Sequence, residues 1–246
     1  MNWPKPLRRL WSAWAVLWLG LTTIPIASTI VLLGALGFSD SRLQSLARLW
    51  ARLLIYGAGC PVSLEGQENL VPGETYIFAA NHSSALDIPA LLAVLPSNFR
   101  WIAKKELFGI PVFGPSLKAA GYIPIDRGDR RKAMESILLA VERIKAGASV
   151  LIFPEGTRSV DGQLLPFKSG GFMLALRSGR PVVPLAVIGS NQACKPKSLL
   201  LNPRRIQVVL GQPIPTQGLK PGDREQLSEQ TRQAVQALLQ EHSRQG

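Results

Sequence analysis

Short apolar runs alternate with helical patterns from residue 62 towards the C-terminus, and this alternation predicts the fold. Six runs of mostly apolar, β-prone residues are the expected buried strands: 62–64, 75–80, 99–103, 149–153, 182–188 and 206–210. Between them, residues 130–146 carry apolar side chains at helical spacing, and Gly147 is the expected stop. The pattern predicts an α/β domain with a mixed, mainly parallel sheet flanked by helices.

The N-terminal part of the chain has a different pattern. No charged residue occurs between Leu10 and Phe38, an interval of 29 residues. As a helix it would be about 43 Å long, against a bilayer core of about 30 Å. Pro25 interrupts the interval, so a kinked membrane span and two half-length helices within one leaflet both remain open. Basic residues on both sides favour a hairpin with both ends on the cytoplasmic side.

The following stretch, residues 41–56, is amphipathic, with four apolar residues near one face: Leu43, Leu46, Trp50 and Leu53. This pattern fits a helix in the membrane interface and a helix packed on the next domain equally well. We therefore divide the chain into a membrane-associated helical segment, residues 1–58, and a globular domain, residues 59–246. A C-terminal helix is expected to start at Asp223, with Gln226 in capping-box register, and its thin apolar stripe predicts peripheral packing.

The charge balance narrows the class of partner. The chain has 28 Lys and Arg against 16 Asp and Glu, a net charge of +12, which suits nucleic acid or an acidic membrane surface. The basic residues are dispersed and no nucleic-acid-binding motif occurs, so we expect membrane lipids and no nucleic acid. The two cysteines, Cys60 and Cys194, form no metal-binding or disulfide pattern. With two histidines in the chain, we expect no metal site.

The segment Asn81–Asp87 is the first candidate for chemistry. His82 follows the strand predicted at residues 75–80, and a short helix is expected after Asp87. The imidazole thus falls at the carboxyl end of a strand, where open α/β sheets bind ligands. An aspartate that accepts from one ring nitrogen fixes the tautomer and leaves the other nitrogen as a base. Taken alone, the pair is more typical of a buried histidine beside a helix cap than of a catalytic site.

A second candidate follows the strand predicted at residues 149–153. The loop 154–159, Pro-Glu-Gly-Thr-Arg-Ser, exposes backbone amides, and Arg158 offers a planar fork suited to phosphate or carboxylate. Lys104 and Arg127 are further cations near the ends of apolar segments. Each cation alone is typical of a solvated surface charge. Together, beside a His–Asp pair, they indicate an anion pocket.

These segments carry a resemblance to a known family. Residues 81–87, 121–127, 153–159 and 182–185 occur in the order and spacing of four sequence blocks of the glycerolipid acyltransferases, and the likeness extends from Cys60 to Gly211. The Phe-Pro-Glu-Gly-Thr-Arg-Ser form resembles the enzymes that act on lysophosphatidate. Ala85 stands where many relatives carry an aromatic residue, and Leu185 and Ala186 follow the proline of the fourth block. These departures concern acyl-chain and acceptor preference rather than the chemistry.

The resemblance implies transfer of a fatty acyl group from acyl-CoA or acyl carrier protein to the 2-hydroxyl of 1-acyl-sn-glycerol-3-phosphate. It implies that His82 is the base and that Asp87 orients it. It also implies a substrate-binding set in which Glu155 contacts the glycerol part: Lys104, Arg127, Glu155, Gly156, Thr157 and Arg158. Amides of the His82 or Glu155–Gly156 loops are expected to stabilise the oxyanion. No cofactor is expected, and the enzyme is expected at the cytoplasmic face of the inner membrane.

Two alternatives stay open. In the first, Ser83 or Ser84 beside His82 forms an acyl-enzyme, although the Gly-x-Ser-x-Gly elbow of many serine hydrolases does not occur. In the second, the chain is a non-catalytic basic protein that binds acidic lipid. Acceptors other than lysophosphatidate also remain open.

Overall fold

The computed structural model describes residues 4–96, 98–126 and 128–243. Its helices are α1 (Lys5–Ala35), α2 (Asp40–Ala58), α3 (Asp87–Val94), α4 (Phe113–Ala119), α5 (Arg130–Lys145), α6 (Met173–Ser178), α7 (Ser190–Ala193) and α8 (Arg224–Ser243). Its strands are β1 (Val62–Glu65), β2 (Ile77–Ala80), β3 (Phe99–Lys104), β4 (Ile123–Ile125), β5 (Ser149–Ile152), β6 (Val182–Ile188) and β7 (Ile206–Leu210). All six predicted strands therefore form within a few residues of their expected bounds, and β4 is an addition.

The strands form one sheet in the order β1-β7-β6-β2-β5-β3-β4. Every neighbouring pair is parallel except β6 and β7, which confirms the mixed, mainly parallel sheet. The four strands β2, β5, β3 and β4 run in the same direction, so their carboxyl ends meet at one edge. The segments after these strands carry the candidate residues of the sequence.

Alternate residues of the central strands supply two cores, one on each face of the sheet. Phe78 and Ala80 of β2 face a core completed by α2, α3 and α4. Ile77 and Ala79 of the same strand face a second core completed by α5, α6 and α8. Both faces of β2 are covered, which explains why its residues are all buried and read as a continuous apolar run.

Helix α1 corrects one of the two expectations for the N-terminus. It runs without a break from Lys5 to Ala35 with Pro25 inside it, so two half-length helices do not form. A proline removes one backbone hydrogen bond and costs about 3 kcal/mol in a helix interior. Contacts with α2 hold the helix before that point: the indole of Trp18 donates to Leu53 O at 2.7 Å, and that of Trp50 donates to Thr23 Oγ1 at 2.9 Å. After it, Gly34 packs closely on Ala119 of α4.

Helix α2 settles the choice between the interface and the globular domain. Its residues Leu43, Ala47, Ala51 and Ile55 are buried in the same core as β2 and β3. Two arginines of α2 donate to carbonyls at the C-terminal end of α3: Arg48 Nη1 to Leu95 O at 2.6 Å and Arg52 Nε to Ala93 O at 3.2 Å. These cations therefore contact the globular domain, and packing is continuous across the division at residues 58 and 59.

The C-terminal helix is more deeply packed than its sequence pattern indicates. Leu227, Thr231 and Val235 are buried, and α8 packs on β6. The buried face is therefore wider than the apolar stripe expected from the sequence, which consists of Leu227, Ala234 and Leu238. The start also differs from the expectation at Asp223. That residue ends a short 3₁₀ turn, Pro221–Asp223, and its carboxylate accepts from Lys220 N at 2.6 Å, so α8 begins one residue later.

Candidate active site

His82 and Asp87 come together at the carboxyl end of β2. His82 Nδ1 lies 2.7 Å from Asp87 Oδ2, and Asp87 is the first residue of α3. The same carboxylate oxygen accepts from the backbone amides of Ser83 and Ser84, each at 2.8 Å. Asp87 is fully buried, and its carboxylate replaces water for these donors at the helix start. The turn 82–87 is thus built around one carboxylate.

The geometry leaves one imidazole nitrogen for chemistry. With Nδ1–H donated to Asp87, Nε2 carries the free lone pair of the neutral ring. The imidazole stacks on Phe153 with ring centroids 4.0 Å apart, and its side chain is 14% exposed. The ring is therefore held on one side by an aromatic face and at one nitrogen by a carboxylate, while part of its surface stays open to a substrate.

Residues of the 154–159 loop form hydrogen bonds with both the amide and the carbonyl of His82. Glu155 Oε1 accepts from His82 N at 2.7 Å, and Ser159 N donates to His82 O at 2.8 Å. The second oxygen of Glu155 accepts from Leu165 N at 3.2 Å. The two sequence segments are therefore one hydrogen-bonded unit. The contact of Ser159 with His82 was not predicted, since nothing in the sequence beyond its place next to Arg158 indicates it.

Glu155 needs a correction, because the resemblance implied a contact with the glycerol part of the substrate. The residue is 3% exposed and both its carboxylate oxygens accept from backbone amides. It positions the loop and does not face the opening. Burial raises the pKa of its carboxyl to about 7, the two amide bonds oppose that rise, and the nearby charge of Asp87 adds to it.

The tip of the same loop points outwards. Thr157 and Arg158 are exposed, and within the described residues Arg158 forms no hydrogen bond or ion pair. Gly156 has a φ of 74°, a conformation that favours glycine. A Cβ at this position would lie 3.0 Å from Lys168 Nζ and 3.2 Å from its Cε, so the lysine side chain passes directly over the glycine. Lys168 is therefore a second cation beside the loop that carries Arg158.

The other predicted cations lie at the same edge of the sheet or outside the described residues. Lys104 ends β3, is 63% exposed and pairs with Glu106 at 3.2 Å. Arg127 lies outside the described residues. An ion pair of Lys105 Nζ with Asp126 Oδ2, at 2.6 Å, joins the segments after β3 and β4.

The expected oxyanion donors of the His82 loop are not available. The amide of His82 donates to Glu155, and those of Ser83 and Ser84 donate to Asp87. Gly156 N donates to Phe153 O at 3.0 Å. Of the two loops expected to stabilise an oxyanion, the His82 loop thus has its amides at residues 82–84 engaged in positioning the candidate His–Asp pair.

The two serines next to His82 are buried and engaged. Ser84 Oγ donates to Cys194 O at 2.7 Å, and Ser83 Oγ lies 3.3 Å from Ser190 Oγ. Ser84 is fully buried and Ser83 is 4% exposed. Neither hydroxyl is hydrogen-bonded to His82 in the described residues, which is the contact that a nucleophilic serine requires.

An apolar cleft opens between the N-terminal helices and the sheet. Its walls come from α1, α2, α3, α4 and β3, and include Ile26, Ile30, Trp50, Leu92, Trp101 and Phe113. The wall residue Leu92 belongs to the helix that begins at Asp87. Its free volume of about 20 Å³ is roughly the space of one water molecule, so the apolar walls are closely packed in this structure. Among residues 4–96, 98–126 and 128–243, no group of three or more His, Cys, Asp or Glu side chains is arranged to hold a metal ion.

Comparisons with known proteins agree with this site. The sequence model of the family described as Acyltransferase matches residues 61–188. A chloroplastic protein of Brassica napus named 1-acyl-sn-glycerol-3-phosphate acyltransferase BAT2 is 39% identical over 69% of this chain and 49% of its own length. A protein of Ovis aries named 1-acyl-sn-glycerol-3-phosphate acyltransferase alpha is 33% identical over 82% of this chain and 71% of its own length. The chain thus spans about half the length of the plant relative.

A solved structure has the same fold. The crystal structure of the 1-acyl-sn-glycerophosphate (LPA) acyltransferase PlsC from Thermotoga maritima superposes with a TM-score of 0.80 and covers 95% of this chain and 97% of that one, at 23% identity. The matched family segment contains the His82–Asp87 turn, the 154–159 loop and all the strands between them. On the family match and the relatives above 30% identity, this chain belongs to the acyltransferase family.

Proposed function

We propose that the chain transfers a fatty acyl group from a thioester donor to the 2-hydroxyl of 1-acyl-sn-glycerol-3-phosphate, which gives phosphatidic acid. The observation that carries the proposal is the 2.7 Å pair of His82 and Asp87, held by the same loop that presents Arg158. The names of the relatives support the acceptor. Coenzyme A and acyl carrier protein both remain as carriers of the donor.

The proton path follows from the tautomer. Nε2 of His82 takes the proton of the acceptor hydroxyl as its oxygen attacks the thioester carbonyl, and Asp87 stabilises the imidazolium. The tetrahedral intermediate then expels the thiolate, which takes the proton back from the imidazolium. The products are an ester and a thiol, and the enzyme returns to its starting state. Positioned acid–base groups of this kind contribute about 10² to 10⁴ in rate.

The cations at the sheet edge are proposed to bind the phosphate of the acceptor. Arg158 is exposed and unpaired within the described residues, and its loop is fixed to the backbone of His82 on both sides. Lys104, Lys168 and Arg127 are the supporting candidates. We propose that a phosphate bound at Arg158 is held by the same unit that holds the base, and that this brings the acceptor hydroxyl to Nε2.

The membrane position is the next part of the proposal. Helix α1 is long and apolar enough to cross a bilayer by length and composition, and Leu10, Leu21 and Ile24 on it are more than half exposed. Both ends of α1 contact the globular domain: Ser12 Oγ accepts from Leu201 N at 2.9 Å, and Gly34 packs on Ala119. A helix bound along one domain at both ends fits one leaflet better than a span, and we place it at the cytoplasmic face.

A direct assay tests the proposal. Purified protein is given radiolabelled acyl-CoA or acyl carrier protein with a panel of lysolipids that differ in headgroup. Transfer to lysophosphatidate, and slower transfer to acceptors without a phosphate monoester, is the expected result. Equal transfer to all acceptors would overturn the choice of acceptor, and no transfer to any lysolipid with either donor would overturn the function.

The serine alternative has its own test. The burial of Ser83 and Ser84 favours direct transfer. The variant Ser84→Ala should keep most of the activity, and protein incubated with the labelled donor alone should carry no covalent acyl group. Trapping of one acyl group per protein in the absence of acceptor would contradict direct transfer.

A further inference from the structure

The segment between α7 and β7, residues 195–205, exposes apolar side chains that the chemistry above does not use. Leu199 is 77% exposed and Leu200 is 45% exposed, whereas Leu201 is buried. A turn closes the segment, since Ser198 N donates to Lys195 O at 3.1 Å and Cys194 pairs with Leu201 in a β-bridge. Two adjacent leucines are therefore displayed at a fixed place on the surface. We call residues 195–205 the leucine loop.

The leucine loop is attached to the N-terminal half of α1. Leu201 N donates to Ser12 Oγ at 2.9 Å, and Arg8 Nε donates to Leu201 O at 3.3 Å. On α1, Leu7 and Leu10, which neighbour these bonding residues, are 50% and 69% exposed. The leucine loop is thus attached to the part of α1 that carries these exposed leucines.

The same two segments are rich in positive charge. Residues 195–205 contain four cations and no acid: Lys195, Lys197, Arg204 and Arg205. Residues 5–10 add Lys5, Arg8 and Arg9, also without an acid. Exposed leucines accompanied by cations match the two layers of an anionic bilayer surface, with acyl chains inside and acidic headgroups outside.

The loop also lies next to the catalytic turn. It leaves the carboxyl end of β6 through α7, at the same edge of the sheet as His82, because β6 and β2 are parallel. Its preceding residue, Cys194, accepts from Ser84 Oγ at 2.7 Å through its carbonyl. A lipid surface bound to the leucine loop would therefore lie close to the turn that carries the base.

We propose that the leucine loop is a second membrane-docking element, separate in sequence from the N-terminal helices, which inserts Leu199 and Leu200 into an anionic bilayer. The inference rests on the proposed membrane function of α1 and adds a contact from within the globular domain. It places the catalytic edge of the sheet at the lipid surface, so that the acceptor is reached without leaving the bilayer.

Vesicle binding of the full chain tests the inference. The double variant Leu199→Asp/Leu200→Asp should bind phosphatidylglycerol-containing vesicles at least about tenfold more weakly than the wild type, which corresponds to about 1.4 kcal/mol. The matched control is Val71→Asp, since Val71 is 61% exposed and precedes β2 at the opposite edge of the sheet. That control should stay within about twofold of the wild type.

A charge comparison sharpens the test. Lys195→Ala should weaken binding to anionic vesicles about fivefold at low salt and leave binding to phosphatidylcholine vesicles unchanged. Arg177→Ala, an exposed cation on the opposite layer of the fold, should have no such effect. An environment-sensitive dye on Leu199→Cys should shift to the blue with anionic vesicles, and the same dye on Val71→Cys should not.

The outcomes separate this inference from the proposed function. Acyl transfer to a short-chain, water-soluble acceptor should be the same in the leucine variant and the wild type, because neither leucine belongs to the catalytic pair. Wild-type vesicle binding by Leu199→Asp/Leu200→Asp, or equal loss in Val71→Asp, would overturn the docking loop. Absence of acyl transfer in the wild type would instead overturn the proposed function and leave the vesicle result standing.

Discussion

The junction formed by the turn 82–87 and the loop 154–159 buries polar side chains, whereas helix α1 exposes apolar ones. At the junction, Asp87, Glu155 and Ser159 are 0%, 3% and 2% exposed, and each forms at least one hydrogen bond with the backbone of residues 82–84. On α1, by contrast, the apolar side chains of Leu10 and Ile24 are 69% and 62% exposed. A buried polar group is stable only where it is hydrogen-bonded, and a large exposed apolar surface marks a partner.

The polar groups that hold His82 lie within the described residues, whereas the exposed apolar surface of α1 has to be covered by something outside them. The junction needs no further component to fix the imidazole, because Asp87 holds its ring and Glu155 and Ser159 hold its backbone. Helix α1 needs an apolar environment that we assign to the bilayer. Helix α2 joins the two regions, since its arginines bond to the end of α3 while its other side packs on α1.

The largest expected effect comes from breaking the junction at its centre. Asp87→Asn should lower kcat by about 10² to 10⁴, because an amide neither fixes the productive tautomer nor stabilises the imidazolium. The measurement is the rate of labelled transfer by purified protein. Asp223→Asn, at the start of α8, is the matched control and should keep wild-type activity. Vesicle binding of Asp87→Asn should be unchanged, since α1 is untouched.

The second effect concerns the outer face of the junction. Arg158→Ala should raise the acceptor KM by about 10- to 150-fold, because a charge-assisted contact is lost, and should change the donor KM little. Inhibition by inorganic phosphate should weaken in parallel. An equal loss with a phosphate-free lysolipid would show that Arg158 does not act by binding phosphate.

The third effect distinguishes positioning from substrate contact at Glu155. Glu155→Gln should lower kcat by about 5- to 100-fold. The side-chain NH₂ of glutamine would face one of the two backbone N–H groups that now donate to the carboxylate, and the loop that holds His82 would be displaced. The acceptor KM should stay near the wild-type value, since Glu155 does not face the opening. A large rise in acceptor KM with unchanged kcat would instead support the glycerol contact implied by the resemblance.

The same variant changes the pH dependence of stability. The carboxyl of Glu155 has a pKa of about 7 in the fold against an ordinary value of 4.5, so the folded state retains a proton that the unfolded state releases. The protonated carboxyl therefore contributes to the free energy of unfolding in full below pH 4.5, and this contribution is lost as pH rises through 7. In urea titrations, the wild type should lose stability between pH 5 and pH 8 relative to Glu155→Gln. A constant difference between the two proteins over that range would contradict the raised pKa.

The smallest effect tests the connection between the two regions. Arg52→Ala removes a bond to a C-terminal carbonyl of α3 and should lower the free energy of unfolding by about 0.5 to 1.5 kcal/mol. Its activity on a soluble acceptor should change little. Arg177→Ala, exposed on α6, is the control and should have no effect on the urea midpoint. Equal midpoints for both variants would show that the contact with α3 contributes nothing.

The two regions also differ in how far sequence could predict them. The strands and the His82–Asp87 pair were predictable, because apolar runs and a strand-to-helix turn are local features. The hydrogen bonds of Glu155 and Ser159 to His82 were not. They use the backbone of His82, which carries no residue-specific signal, and the partners are separated by 73 and 77 positions in the sequence. For the same reason, the sequence could not predict that the amides of residues 82–84 donate to Glu155 and Asp87.

Errors at the two ends of the chain have physical causes too. Pro25 predicts a break when judged alone, but tertiary contacts of Trp18 and Trp50 with their partners outweigh its local cost. The strand β4 was missed because it has three residues, one of them proline, at the edge of the sheet. The stripe of α8 was read too narrowly, since Val235 and Thr231 complete it.

The most direct test of the central claim is the activity of His82→Ala. Purified variant and wild type are compared for labelled acyl transfer to lysophosphatidate, with circular dichroism and vesicle binding as checks on folding and membrane attachment. The account predicts a loss of at least about 10²-fold in kcat, with both checks unchanged, since the backbone of residue 82 still bonds to Glu155 and Ser159. Activity within a few-fold of the wild type would contradict the assignment of His82 as the base.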